Sequence, residues 1–87
     1  METNSEARAM ALVAGALDIQ GAISAGDDMN SLAAWTSLAH ARLMLEVEAE
    51  LGRHLSGEEV AGITSVSAVA ALLTAAAIGL PATARRS

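Results

Sequence analysis

The chain has 87 residues, enough for one small domain and no second core, and it contains no cysteine, which excludes a disulfide framework or a thiolate metal site. Its formal net charge is −5, and that acidic balance argues against nucleic-acid binding and for partners with basic patches. Alanine, leucine and valine dominate an apolar content of 53%, with no tyrosine or phenylalanine and one tryptophan, so the expected fold class is all-α.

The N-terminus is polar and acidic and has no signal-peptide core, so a cytoplasmic location is expected. A first helix is predicted to begin at residues 3–5, where Thr3 followed three residues later by Glu6 fits a capping box. Met10, Val13, Ala14 and Leu17 then recur at helical spacing and define one buried stripe. Gly15 weakens this helix but suits a close approach by a neighbour. Residues 18–36 carry Gly21, Gly26, Asp27, Asp28, Asn30 and Ser31 and read as a long connection, pinned by Ile23, Leu32 and Trp35. Asp27, Asp28 and Asn30 superficially suggest a calcium loop. Counted from Asp28, however, the places that need glycine and glutamate hold Ala33 and Ala39, and a polar turn is the better reading.

A second helix is predicted over residues 37–51 and is stopped by Gly52. Leu38, Ala41, Met44, Val47 and Leu51 form its expected core face, and Arg42 with Glu46 makes an i, i+4 pair. Ser56 and Gly57 open a short third helical turn over residues 58–62, too short to be stable alone. Ser65 caps the last helix, whose stripe is Val66, Val69, Ala70, Leu73 and Ala77, with Gly79 and Pro81 terminating it. Residues 1–80 are thus expected to form the domain and residues 81–87 a mobile tail. The apolar run at residues 66–80 falls short of the about 20 residues a membrane span needs.

Chemistry concentrates at Trp35-Thr36-Ser37-Leu38, where loop becomes helix. A serine hydroxyl there lies beside unpaired backbone N–H groups and the positive end of the helix dipole, so a phosphate ester on Ser37 would be stabilised. Taken alone, such a serine is most often an ordinary cap. His40 stands three residues on and invites a Ser-His pair, but no orienting acid or oxyanion site accompanies it, and a surface histidine is the better reading. The glutamates at 46, 48, 50, 58 and 59 read as a solvated face, and Trp35 as a core or loop anchor.

The segment over residues 27–73 resembles the acyl carrier proteins. In that family an Asp-Ser-Leu motif opens the second helix, and its serine carries a 4′-phosphopantetheine arm. Here Thr36-Ser37-Leu38, preceded by Trp35, is similar to the Trp-Asp-Ser-Leu variant of stand-alone carriers, with Thr36 in the aspartate's place. The likeness continues through Leu43-Met44-Leu45-Glu46-Val47-Glu48-Ala49-Glu50-Leu51 and Gly57-Glu58-Glu59-Val60. It ends at Ile63-Thr64-Ser65-Val66, which is similar to the start of the family's last helix.

What the resemblance implies is a small four-helix bundle of acyl-carrier type, with a long loop between its first two helices and a short third helix. Ser37 would receive 4′-phosphopantetheine from a phosphopantetheinyl transferase, and the non-catalytic, monomeric carrier would hold an acyl or aminoacyl thioester. The enzymes it would serve are acyl-loading or ketosynthase-type enzymes of a fatty-acid, polyketide or related pathway. Glu48 becomes a candidate docking contact, while Arg42 stands where many family members have an acid. The alternative is an unmodified helical interaction module, of which Thr36 would be the mark.

Overall fold

A computed structural model describes residues 3–21 and 23–77, without the side chains of Thr3, Asn4 and Ala77. Among these residues four helices and no strand are found: α1 (Thr3–Leu17), α2 (Ser37–Leu51), α3 (Gly57–Gly62) and α4 (Val66–Ala77). The all-α expectation holds at this level, as a small helical bundle. No described helix is long and apolar enough to cross a membrane. The expected capping box at Thr3, the stop at Gly79 and Pro81, and the tail lie outside the described residues and side chains.

Local chemistry explains the helix ends. Leu17 is followed by Asp18 in the left-handed region (φ 56°), whose N–H reaches the Gly15 carbonyl at 3.3 Å while that of Ile19 reaches Ala14 at 2.9 Å. This is a Schellman closure with aspartate in the place glycine usually takes. Gly52 closes α2 with φ 74° and an N–H donated to the Glu48 carbonyl at 2.8 Å, a conformation glycine adopts without strain. Ser56 opens α3 with a full capping box, its hydroxyl accepting from Glu59 N–H and the Glu59 carboxylate accepting from Ser56 N–H. Ser65 caps α4 as expected, accepting from Ala68 N–H at 3.1 Å.

One core joins the elements. It is built from Ala9, Leu12, Val13, Ala16 and Leu17 of α1, Ala39, Leu43, Met44 and Val47 of α2, Val66, Val69, Leu72 and Leu73 of α4, and Trp35 and Ile63 from the connections. α1 lies between α2 and α4 and packs on both, whereas α2 and α4 touch little.

The faces differ from those expected. In α1, Met10 and Ala14 flank the core instead of centring it, because Ala9, Leu12 and Ala16 turn inward. In α2, Leu38 is 64% exposed and Ala41 is exposed, while Ala39 and Leu43 take the core positions. The reason is that α2 carries two apolar stripes on opposite sides. Leu38, Ala41, Leu45 and Ala49 recur at helical spacing as faithfully as the buried set, so periodicity alone did not choose between them. Arg42 and Glu46 are both exposed and form no ion pair with each other; the cross-helix tie is Arg8 to Glu50 at 2.7 Å, joining α1 to α2.

Gly15 has nothing within 4 Å of where a Cβ would stand, so the close approach expected there is absent. Its place in a helix interior with open space makes Gly15→Ala a stabilising change of about 0.5–1 kcal/mol, by restricting the unfolded chain. A thermal melt should show the midpoint rise by a few degrees, and an unchanged or lower midpoint would contradict this account.

The long connection is tied down where it nears the site. The Asp28 carboxylate accepts from the N–H groups of Asn30 and Ser31 at 2.9 Å, and the Asp27 carboxylate accepts from Ser24 N–H at 2.8 Å. These oxygens are spent on a polar turn, and no metal-binding group of acidic or histidine side chains exists among the described residues. Met29 N–H to the Thr64 carbonyl (2.9 Å) and Val66 N–H to the Asp27 carbonyl (3.0 Å) then bridge the loop to the start of α4. Ile23, Leu32 and Trp35 pack against the core, as expected of the pins.

Candidate functional site

Trp35 sets the geometry of the α2 start. Its indole is 6% exposed, and its N–H donates to Nδ1 of His40 at 3.0 Å, with the ring centroids 6.3 Å apart. A buried indole needs an acceptor, and the imidazole one turn into the helix supplies it. His40 is therefore a half-buried structural partner, not the surface histidine expected from its sequence position.

Thr36 follows in extended conformation (φ −88°, ψ 174°) and is the N-cap, its Oγ1 accepting from Ala39 N–H at 3.1 Å. Its carbonyl accepts from His40 N–H at 2.8 Å, which starts the helical ladder. Ser37 is consequently not the cap but the first residue inside the helix. It is exposed, and its hydroxyl makes no hydrogen bond to another described residue. The N–H groups of Ser37 and Leu38 also have no partner among the described residues. Two open donors and the positive end of α2 thus face the solvent around the Ser37 hydroxyl, and no acidic residue occupies the first turn.

Ser31, the other serine followed by leucine, is placed differently. Its Oγ accepts from Asp28 N–H at 2.9 Å and donates to the Asp27 carboxylate at 3.1 Å, so it is consumed by the turn.

Beside Ser37 runs an open groove of about 370 Å³. It is lined by Trp35, Thr36, Ser37 and His40 from the α2 start and by Met29, Val60, Ala61 and Thr64 from elsewhere in the chain. Sequence reasoning missed this second group of residues, because it is brought to the groove by the loop bridge to Thr64 and by the placement of α3.

Compared with known protein families, characterised proteins and solved structures, the chain matches none. What the site can do therefore rests on its own geometry. The arrangement offers an accessible hydroxyl in an anion-favouring position, next to a mostly apolar cleft.

The acidic side chains are less available than expected. The Glu48 carboxylate accepts from Leu55 N–H at 2.8 Å and has His54 Nδ1 at 3.5 Å; the backbone bond above all, with His54 beside it, holds it below its ordinary pKa. Glu48 is a loop tie behind α2, which removes it from the solvated face. Glu50 is lowered by its bond to Arg8. Glu46 and Glu58 stay exposed, with no hydrogen bond to another described residue.

Glu59 is the most strongly held. Arg53 donates two bonds to it at 3.0 and 2.9 Å, its side chain is only 7% exposed, and the guanidinium and the Ser56 N–H hold its pKa down at about 2. Because the folded value lies below the ordinary 4.5, this contribution to stability is complete above about pH 4.5 and is lost as pH falls towards 2. Melts across that range should show Glu59→Gln less stable than the parent near neutrality, with the difference closing in acid. A difference that persists unchanged at about pH 2 would contradict the assignment.

Proposed function

We propose that this chain is a carrier protein whose Ser37 holds a 4′-phosphopantetheine arm. The observation that carries the reading is the accessible Ser37 hydroxyl at the first position of α2, released from capping by Thr36 and beside the open Ser37 and Leu38 N–H groups. These groups fit a phosphodiester, which the helix dipole favours at this end. The chain has no cysteine, so the thiol that would hold an acyl or aminoacyl cargo is the chemistry the arm supplies. A bundle of four helices with a long first connection and a short third helix supports an acyl-carrier type of fold. A phosphopantetheinyl transferase would load the arm, and loading or ketosynthase-type enzymes would then dock on the outward face of α2, where Leu38, Arg42 and Leu45 are exposed.

The tethered cargo would be offered to successive enzymes at high effective concentration, which is what a carrier contributes without catalysing anything. Incubation with coenzyme A and a broad-specificity transferase tests this directly: intact mass should rise by one phosphopantetheine group. A mass that stays at the apo value would favour the second reading, an unmodified interaction module. The second apolar stripe on α2, with Leu38 and Leu45 64% and 66% exposed, is the observation on its side.

Thr36 bears on the rate of loading. It keeps the cap but lacks the charge of the family's aspartate, which a transferase or its metal ion could engage. Thr36→Asp should speed loading by a general transferase while altering the melting temperature little, since both residues cap well. Parallel time courses of mass conversion decide it, and equal or slower loading of Thr36→Asp would show that this position does not limit recognition.

A further inference from the structure

The outward face of α2 carries an exposed apolar stripe, and beside it stands an unused pair of opposite charges. Leu38, Ala41, Leu45 and Ala49 recur along the stripe, with Leu38 and Leu45 64% and 66% exposed. Large apolar side chains exposed in a contiguous row mark an interaction surface. Arg42 and Glu46 lie one turn apart along one flank of the stripe, both exposed, and neither makes a hydrogen bond or ion pair to another described residue. The charges around them are committed elsewhere, Arg8 to Glu50 and Glu48 to Leu55 N–H, although Arg8 also lies within electrostatic reach of Glu46.

The stripe is complementary to itself. Because leucine alternates with alanine along it, a second copy running antiparallel sets Leu45 over Ala41 of the other copy and Leu38 over Ala49, in both directions. A two-fold axis in the contact plane, perpendicular to the helices, keeps the same flank of both copies on the same side. In that register Arg42 of one copy comes within about 3 Å, measured along the helix axis, of Glu46 of the other, and the pair occurs twice. A parallel arrangement would put the two charged flanks on opposite sides and leave them unused.

We propose that the outward face of α2 binds the same face of a second copy of this chain, as an antiparallel two-fold pair joined by Leu38, Leu45 and reciprocal Arg42–Glu46 ion pairs. The pairing needs no arm and stands independently of the carrier reading, whose resemblance implies a monomer. One helix from each copy makes a contact at the low end of specific interfaces, below about 1,200 Å² in total, and the net charge of −5 opposes association. The pair is therefore weak and forms at high protein concentration. An enzyme that docks on this face and a second copy exclude each other, so pairing covers the stripe until a partner displaces it.

Sedimentation equilibrium of the unloaded full chain, from micromolar to millimolar concentration, reads the pairing, and circular dichroism checks that each variant folds. The wild-type mass should climb towards twice that of the monomer. Leu45→Gln should weaken association roughly a hundred-fold, because each pair loses two leucines. Arg42→Glu and Glu46→Arg should each weaken it roughly ten-fold, by turning two attractions into two repulsions. A bare effect of net charge would act differently, since Arg42→Glu makes the chain more acidic and Glu46→Arg less, and the two would move association in opposite directions. An equimolar mixture of these two variants should recover the wild-type affinity as a heterodimer, in which each glutamate faces an arginine.

A wild type that keeps the monomer mass at millimolar concentration overturns the pairing. A dimer indifferent to Leu45→Gln also overturns it, by lying on another face, and so does a mixture that associates no better than its two components. If Glu46→Arg fails to fold beside Arg8, Leu45→Gln and Arg42→Glu decide alone. None of these outcomes bears on the loading of Ser37, which intact mass reads separately.

Discussion

Trp35→Ala should destabilise the domain by about 3–5 kcal/mol, the cost of removing a large buried aromatic side chain. A chain of this length has roughly 4–13 kcal/mol of total stability, so the variant should lie at or near the edge of folding. Two losses coincide at this one position. The 6% exposed indole is the only aromatic ring among the buried residues of the core cluster. Its indole N–H also satisfies His40 Nδ1, which alanine leaves half-buried without a donor. The backbone N–H bond to the Leu32 carbonyl (2.9 Å), just before the Thr36 cap, is kept by alanine and is not part of the cost. Trp35→Phe separates these terms by keeping most of the volume and removing the hydrogen bond, and should cost much less. Urea unfolding followed by circular dichroism measures both. A Trp35→Ala cost under about 1 kcal/mol would show that the loop, not the core, owns this ring.

The end of α2 and the starts of α3 and α4 were legible in the sequence because they are written in side-chain chemistry acting over three or four residues. Gly52, Ser56 and Ser65 each act on their own helix end, and the structure finds each doing so, while it gives the cap of α2 to Thr36 in place of Ser37 and adds Glu59 to the Ser56 cap. The orientation of the helices was not legible. Alanine and leucine occur all round α1 and α2, so each helix has more than one apolar stripe, and only packing of α1 between α2 and α4 selects which is buried. Half of the candidate site was legible for the same reason. Ser37 and Thr36 follow from local capping logic, whereas Met29, Val60, Ala61 and Thr64 reach the groove through long-range bonds such as Met29 N–H to the Thr64 carbonyl. Glu48 looked like a surface charge because its partner, Leu55 N–H, lies seven residues away across the turn at Gly52. A clue to His40 was present: a lone tryptophan beside a helix start needs an acceptor for its N–H, and a histidine stood one turn away.

Ser37→Ala should abolish loading completely while leaving the fold intact, and the contrast between the two effects is what makes the variant informative. The Ser37 side chain is exposed, makes no hydrogen bond to another described residue, and does not cap α2, because Thr36 does. Alanine is also the better helix former at an interior position, so stability should change by no more than about 0.5 kcal/mol in either direction. Ser31→Ala is the matching control with the opposite pattern. Ser31 Oγ holds Asp28 N–H and the Asp27 carboxylate within the turn that leads to the bridge with Thr64 and Val66, so its loss should cost about 1 kcal/mol and leave loading unchanged. Intact mass after exhaustive incubation with coenzyme A and transferase reads the first quantity, and urea melts of the apo proteins read the second. A mass increment that survives Ser37→Ala and disappears in Ser31→Ala would move the arm to the loop and show that an exposed hydroxyl at a helix start is not what the transferase selects.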